Sequence, residues 1–277
     1  MEPRHRLTQD QIDYFEAFGF LLLRGLFDDA TMAPVIQAAD ALWREDFGGR
    51  PDPTATLHQD RFVERRPVLM RLIDDARLYD KLEQLLGERF VFCGSEGNHG
   101  VVGSPTAHHW HADRPGAAEL GYLRIKVMLY LVPMTQDNGA LRVIPGSHRA
   151  PFHQALLPFV RRHVERDPLF FGEHGSNIPA HVIETSPGDA VLFSQTLYHS
   201  VYFRIRPARR YIALKYASWP RSYAQFATLQ RWPSGTLDPA PQLRACDRPR
   251  LRSMVEPILA AEQAVADWPA DVPWETT

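Results

Sequence analysis

Between residues 88 and 218 the chain breaks into short β-rich runs: RFVFCG, YLRIKVMLYLVP, ALRVIPG, AHVIETSPGD, AVLFS, HSVYF and RRYIALKYA. Turn chemistry separates them, at Asp137-Asn138-Gly139, Pro145-Gly146-Ser147 and Pro187-Gly188-Asp189. Strands joined by turns, mostly without helices between them, point to an antiparallel sandwich or jelly roll and away from a βαβ sheet. The fold class is therefore mainly β with flanking helices.

The flanks read differently. Residues 1–90 look helical. LTQDQIDYFEAFGF carries Thr8 and, three residues on, Gln11, the signature of a capping box, and Gly19 closes that helix. GFLLLRGLF reads as a short buried strand. DDATMAPVIQAADALWRE and ARLYDKLEQLLG read as amphipathic helices, the second ended by Gly87. Residues 150–178 interrupt the β pattern with a helical stretch, FHQALLPFVRRHVER, expected to be an insertion or lid. Residues 219–277 are Pro-rich, with a helix in LRSMVEPILAAEQAVADW kinked or restarted near Pro257.

HHWHADRPG, residues 108–116, concentrates three histidines and an aspartate. His111 and Asp113 stand at i and i+2, so on a strand both side chains point to one side and can grip one metal ion. A second histidine from a distant strand would complete a two-histidine, one-carboxylate face. That face suits Fe(II) and leaves three positions open for a co-substrate and O2. His199 has the best context, following one β-run and opening the next. On RRYIALKYA, a buried Arg210 could clamp a dicarboxylate through two parallel hydrogen bonds.

Bulk properties exclude several classes. The formal net charge of −2 supplies no field for nucleic acid or an anionic membrane. The first residues lack an apolar signal region, and no apolar run is long enough to span a bilayer. Two cysteines, Cys93 and Cys246, form neither a metal motif nor a disulfide framework, which fits a reducing cytoplasm.

The ordered set His111-x-Asp113, DNGALRVIPGSHR (137–149), PGDAVLF…LYHSV (187–201) and Arg210 resembles the phytanoyl-CoA dioxygenase family of Fe(II)/2-oxoglutarate oxygenases. The entry segment LTQDQIDYFEAFGFLLLRGLF is similar as well, so the resemblance covers roughly residues 7–218. It implies a double-stranded β-helix, a cupin-like jelly roll, forming a single oxygenase domain over 1–277. Residues 1–90 would support the 88–218 core, with the 150–178 insertion over it and 219–277 as an extension.

The resemblance further implies His111, Asp113 and His199 as iron ligands and Arg210 as the anchor of the 2-oxoglutarate carboxylate. Arg209 takes that place if the strand register is shifted by one. His108 and Asn98 fall where relatives touch 2-oxoglutarate. Leu141 stands where many relatives carry threonine and Val201 where others carry serine, departures that bear on secondary co-substrate contacts and not on the iron triad the resemblance implies. The implied reaction oxidises a small organic molecule, by hydroxylation first of all, while 2-oxoglutarate becomes succinate and CO2. A carboxylate at Asp113 argues against halogenation, which needs that iron position for chloride.

Trp110, Arg114 and Pro115 flank the metal motif and are candidates to touch substrate. Phe159, Phe170 and Phe171 are candidates for an apolar lid. His148 is expected to be structural or at the pocket rim, and Cys93 to be a small buried residue. The alternatives are a cupin-like isomerase or hydrolase without 2-oxoglutarate, and a non-catalytic jelly-roll binding protein. The partner expected is a small-molecule substrate, with neither nucleic acid nor membrane, and a homodimer is possible.

Overall fold

The structure is a computed structural model that describes residues 5–49, 56–100, 108–165, 169–202, 209–230 and 239–265. Helix α1 (Gln9–Phe18) begins where the capping box places it. Thr8 Oγ1 accepts from the Gln11 amide, and the Gln11 side chain accepts from the Thr8 amide. Gly19 ends it in the left-handed region (φ 81°), and the chain turns at once into β1 (Phe20–Leu23). Asp28 caps α2 (Asp29–Asp46) by accepting from the Thr31 amide. Strand β2 (Leu57–Asp60), the short α3 (Pro67–Met70) and α4 (Ala76–Leu86) complete the N-terminal zone.

The β-rich zone supplies β3 (Phe90–Gly100), β4 (His108–His111), β5 (Arg124–Tyr130) and β6 (Leu141–Val143). Helix α5 (Phe152–Glu165) and the small hairpin of β7 (Leu169–Phe170) and β8 (Glu173–His174) follow. Then come β9 (His181–Ile183), β10 (Ala190–Ser194), β11 (His199–Val201) and β12 (Arg209–Ser218). Helices α6 (Tyr223–Gln230), α7 (Pro241–Arg244) and α8 (Pro249–Val265) close the described chain.

Strands distant in sequence lie side by side, in a six-stranded sheet ordered β1-β10-β5-β12-β3-β2 and a four-stranded sheet ordered β4-β11-β6-β9. Their pairings are antiparallel. This is the jelly roll expected from the turn-punctuated sequence. Alternation divides the large sheet's two faces. Ile125, Val127 and Leu129 of β5, with Ile212 and Leu214 of β12, pack outward against the helical layer around Leu42, Trp43 and Leu78. Met128, Tyr130, Tyr211 and Ala213 point inward and meet Val143, Phe193 and Val201 between the sheets.

Helix α5 of the 150–178 insertion packs on the barrel. Leu156 and Val160 of α5 pack with Trp110, Phe170, Tyr198 and Tyr202 in a separate apolar cluster beside β4 and β11. Its apolar face thus has a sheet to bury against. Helix α8 runs through Pro257 without a break. Its preceding turns bury Leu251, Met254 and Val255, and that packing compensates for the hydrogen bond proline removes. Among the described residues no helix is long and apolar enough to cross a membrane.

Gly19 does two things at once. A Cβ there would lie 2.5 Å from His148 Nδ1, and the residue needs a positive φ. His148 Nε2 in turn bonds the Glu16 carbonyl at 3.1 Å, so the turn after β6 is locked onto α1. Gly19→Ala is expected to destabilise the protein by about 2–4 kcal/mol through backbone strain and overpacking. Urea unfolding checks this; an unchanged midpoint refutes the close fit.

Candidate metal centre

His111 is the last residue of β4 and Asp113 follows two residues on, just past the strand end. His199 opens β11 directly opposite His111 in the antiparallel register. The pairing brings the two imidazoles to a centroid distance of 4.2 Å. Asp113 Oδ1 lies 3.9 Å from His111 Nε2 and 3.8 Å from His199 Nε2. One ligand atom from each of the three residues falls within 4.8 Å of the other two, so a single ion can be shared by all three.

Both imidazoles are set for this. His111 Nδ1–H donates to the His109 carbonyl at 2.7 Å and His199 Nδ1–H donates to the Leu197 carbonyl at 2.9 Å. A carbonyl can only accept, so Nδ1 carries the proton and the Nε2 lone pair faces the site. Burial first, and His111 second, lower the pKa of His199 to about 3, so it stays neutral and able to ligate. The His111 side chain is 34% exposed while Asp113 is 12% exposed, which puts the open side of the centre at His111.

The Asp113 carboxylate is held from behind. Lys126 Nζ lies 3.2 Å from its Oδ2 and 3.1 Å from Glu96 Oε2, and Lys215 Nζ reaches Glu96 Oε1 at 2.5 Å. Burial alone would raise the pKa of Asp113, but Lys126, His199 and His111 outweigh it and keep the carboxyl well below the usual range. Lys126 shows the converse: burial opposes its charge, and Asp113 and Glu96 overcome it. The donor set of two neutral imidazole nitrogens and one fixed carboxylate oxygen suits a divalent transition metal such as iron. A second cluster, His58, Asp60 and Glu96, is less suited, because Glu96 already faces two ammonium groups.

The arginines exchange places relative to the expectation. Arg210 does not reach the centre; its guanidinium pairs with Asp40 of α2 on the outer face of β12. Arg209 points inward, 5% exposed, and its Nη2 donates to the Tyr130 hydroxyl at 2.7 Å. It also lies over the Tyr211 ring at 4.6 Å. The two are neighbours on a strand and must face opposite sides. Asn98 pairs across from Tyr211 on β3 and is 5% exposed, on the inward face. His108 opens β4 opposite Val201, and its side chain lies outside the described residues.

Trp110 does not line the centre. Its Nε1 donates to the Gly175 carbonyl at 2.9 Å and its ring packs in the α5 cluster. Phe171 stacks on Phe159 of α5 at 4.0 Å and is 51% exposed, outside the barrel. Arg114 stays near the centre, 8% exposed, with its amide bonded to Gln195 at 2.8 Å. Burial, then the adjacent Arg124 guanidinium, bring its pKa down to about 10.

Three contributors escaped sequence reasoning: Lys126, Glu96 and His153. The signal for Lys126 was available. YLRIKVMLYLVP reads as a strand, and its charged residues at 124 and 126 share one face with Met128 and Tyr130. His153, fully buried, accepts from the Gly116 amide at 3.0 Å and so fixes the loop after Asp113 from α5. Nothing in the local sequence marks it.

The family model described as phytanoyl-CoA dioxygenase (PhyH) matches residues 15–201. Ectoine dioxygenase of Bordetella bronchiseptica is 28% identical over 156 residues, 52% of this chain and 50% of that protein. The match thus spans about half the length of the curated relatives. The crystal structure of HygX from Streptomyces hygroscopicus with nickel and 2-oxoglutarate bound superposes with a TM-score of 0.65 at 20% identity, over 77% of this chain and 88% of that one. EctD from S. alaskensis with bound Fe superposes with a TM-score of 0.59 at 23% identity, over 79% of each chain. At these identities the structural likeness establishes the jelly-roll fold.

Removing a partner that orients a ligand typically weakens metal binding about 10- to 100-fold. Lys126→Met is expected to do so here, read by Fe(II) titration under argon, and Asp113→Ala to abolish saturable binding. Equal affinity in the Lys126 variant and the native protein rules out the bracing role.

Proposed function

Since this chain belongs to the phytanoyl-CoA dioxygenase family, we propose that it is an Fe(II)- and 2-oxoglutarate-dependent oxygenase that hydroxylates a small organic molecule. The observation that carries this reading is the convergence of His111, Asp113 and His199, supplied by β4 and β11, with both Nε2 atoms turned to a common centre. These three residues hold the iron. When bound, iron with 2-oxoglutarate and O2 supplies the oxidant, and 2-oxoglutarate leaves as succinate and CO2.

The chain's own residues bind, orient and exclude water. Arg209 is the anchor for the distal carboxylate of 2-oxoglutarate. It is buried and carries its charge on the face of β12 that looks between the sheets, while Arg210 is committed to Asp40 on the other face. A guanidinium fork matches a carboxylate with two parallel hydrogen bonds, and Tyr130 orients that fork. Met128, Phe193, Val201 and Ala213 surround the interior with apolar surface, which keeps the charge-assisted contact strong.

Succinate formation from 2-oxoglutarate and O2 is the activity test, and its absence under every substrate tried argues for a different metalloenzyme. The co-substrate assignment has a sharper one. Losing one partner of a buried charge pair costs about 2–5 kcal/mol, roughly 30- to several-thousand-fold in affinity. Arg209→Gln is expected to weaken 2-oxoglutarate binding by that range, and Arg210→Gln to change it by less than about threefold. Binding is read from the visible band that a chelated 2-oxo acid gives with Fe(II) under argon. The opposite ranking returns the anchor to Arg210.

A further inference from the structure

Two segments deliver the metal ligands: the run from His111 to Gly116, which leaves β4, and the turn after β10 that leads into His199. The ladder between their strands pairs His199 with His111 and Val201 with His108, and its register shifts between those positions. Asp113 lies beyond its end. A short, irregular ladder constrains the two segments weakly.

His153 joins them. It is the second residue of α5 and is fully buried. Its Nδ1 lies 3.1 Å from the Ser147 carbonyl and 3.0 Å from the Thr196 carbonyl. Carbonyls only accept, so Nδ1 carries the proton and Nε2 keeps its lone pair. The Gly116 amide donates to that Nε2 at 3.0 Å. Burial lowers the pKa of the ring and so favours the neutral form that these bonds require. The ring stacks on Tyr198 at a centroid distance of 4.7 Å, and the Tyr198 hydroxyl donates to the His153 carbonyl at 3.3 Å.

The turn after β6 completes the tie. Ser147 Oγ accepts from the Tyr198 amide at 2.9 Å, and the Ile144 amide donates to the Tyr198 carbonyl at 3.0 Å. Thr196 Oγ1 donates to the His148 carbonyl at 3.1 Å. Tyr198 directly precedes His199, whose own Nδ1 bonds the Leu197 carbonyl. One ring therefore grips the segment after Asp113 with one edge and the turn before His199 with the other.

Resting on the metal-centre reading above, we infer that His153 is a positioning residue that ties the two ligand segments together and sets Asp113 against His199 before any ion binds. The turn at 145–149, PGSHR, is the fixed point against which it does so. His153 acts through the backbone of both segments and through no contact with the metal. A neutral imidazole suits this task because it offers a donor and an acceptor on separate edges of one rigid ring. An asparagine side chain can supply the donor but is too short to reach Gly116 as well.

The test compares the full native chain with His153→Phe, His153→Asn and Leu156→Ala. Leu156→Ala removes a buried contact of the same helix and none of these hydrogen bonds, so it reads loss of packing alone. Amide exchange, followed by mass spectrometry without metal, is read on peptides covering 112–120 and 194–201. His153→Phe is expected to speed exchange in both by about tenfold or more and to weaken Fe(II) binding about 10- to 100-fold. His153→Asn is expected to loosen the first peptide and leave the second protected. Leu156→Ala is expected to lower the urea midpoint while both peptides and the Fe(II) affinity stay within about twofold of native. Unchanged exchange in His153→Phe, or an equal loss of Fe(II) affinity in Leu156→Ala, overturns the inference. Histidine nitrogen NMR of the native chain is expected to show His153 protonated on Nδ1 and bare on Nε2. Any other protonation overturns the inference, whether or not a variant folds. If the native chain takes up no Fe(II), the metal reading falls and this one with it; if it does and His153→Phe binds as tightly, only this one falls.

Discussion

The buried chain of charge Asp113–Lys126–Glu96–Lys215 is the interaction on which the rest of the structure depends. Each member alone would be costly to keep ionised away from water. Linked in alternating sign, they satisfy one another and hold one oxygen of Asp113 while leaving the other toward the histidines. Three strands are needed to build the chain, because Glu96 comes from β3, Lys126 from β5 and Lys215 from β12. The centre is therefore a property of the whole large sheet as much as of the His-x-Asp motif.

Support also arrives from the opposite side. Helix α5 buttresses β4 and carries His153 to the loop after Asp113. His111 and Asp113 are thus backed by a helix on one flank and a charged network on the other, while β11 holds His199 in register. Rigid backing of this kind keeps ligand atoms near bonding geometry before any ion arrives.

Much of this was legible in the amino-acid order. Turn residues at 137–139, 145–147 and 187–189 announced an antiparallel barrel, and Thr8 with Gln11 announced the first helix. The His111 and Asp113 spacing, with His199 opening a later strand, pointed to the three residues that converge. What escaped was orientation. Arg209 and Arg210 are equivalent in composition, and the pairing of β12 with β3 and β5 decides which one looks inward. Trp110 sits beside His111 in sequence but packs in the α5 cluster, and Phe171 of the insertion stacks on Phe159 of α5. Lys126 and His153 act through contacts whose partners lie far along the chain, and no local pattern encodes those.

Leu229 of α6 and Leu243 of α7 form part of the wall of a cavity that β3 and β12 line from the other side with Cys93, Ser95 and Lys215. Alterations there leave the sheet's hydrogen bonding untouched. Substitutions in these two helices can therefore reshape that space while the strands carrying His111 and His199 keep their register.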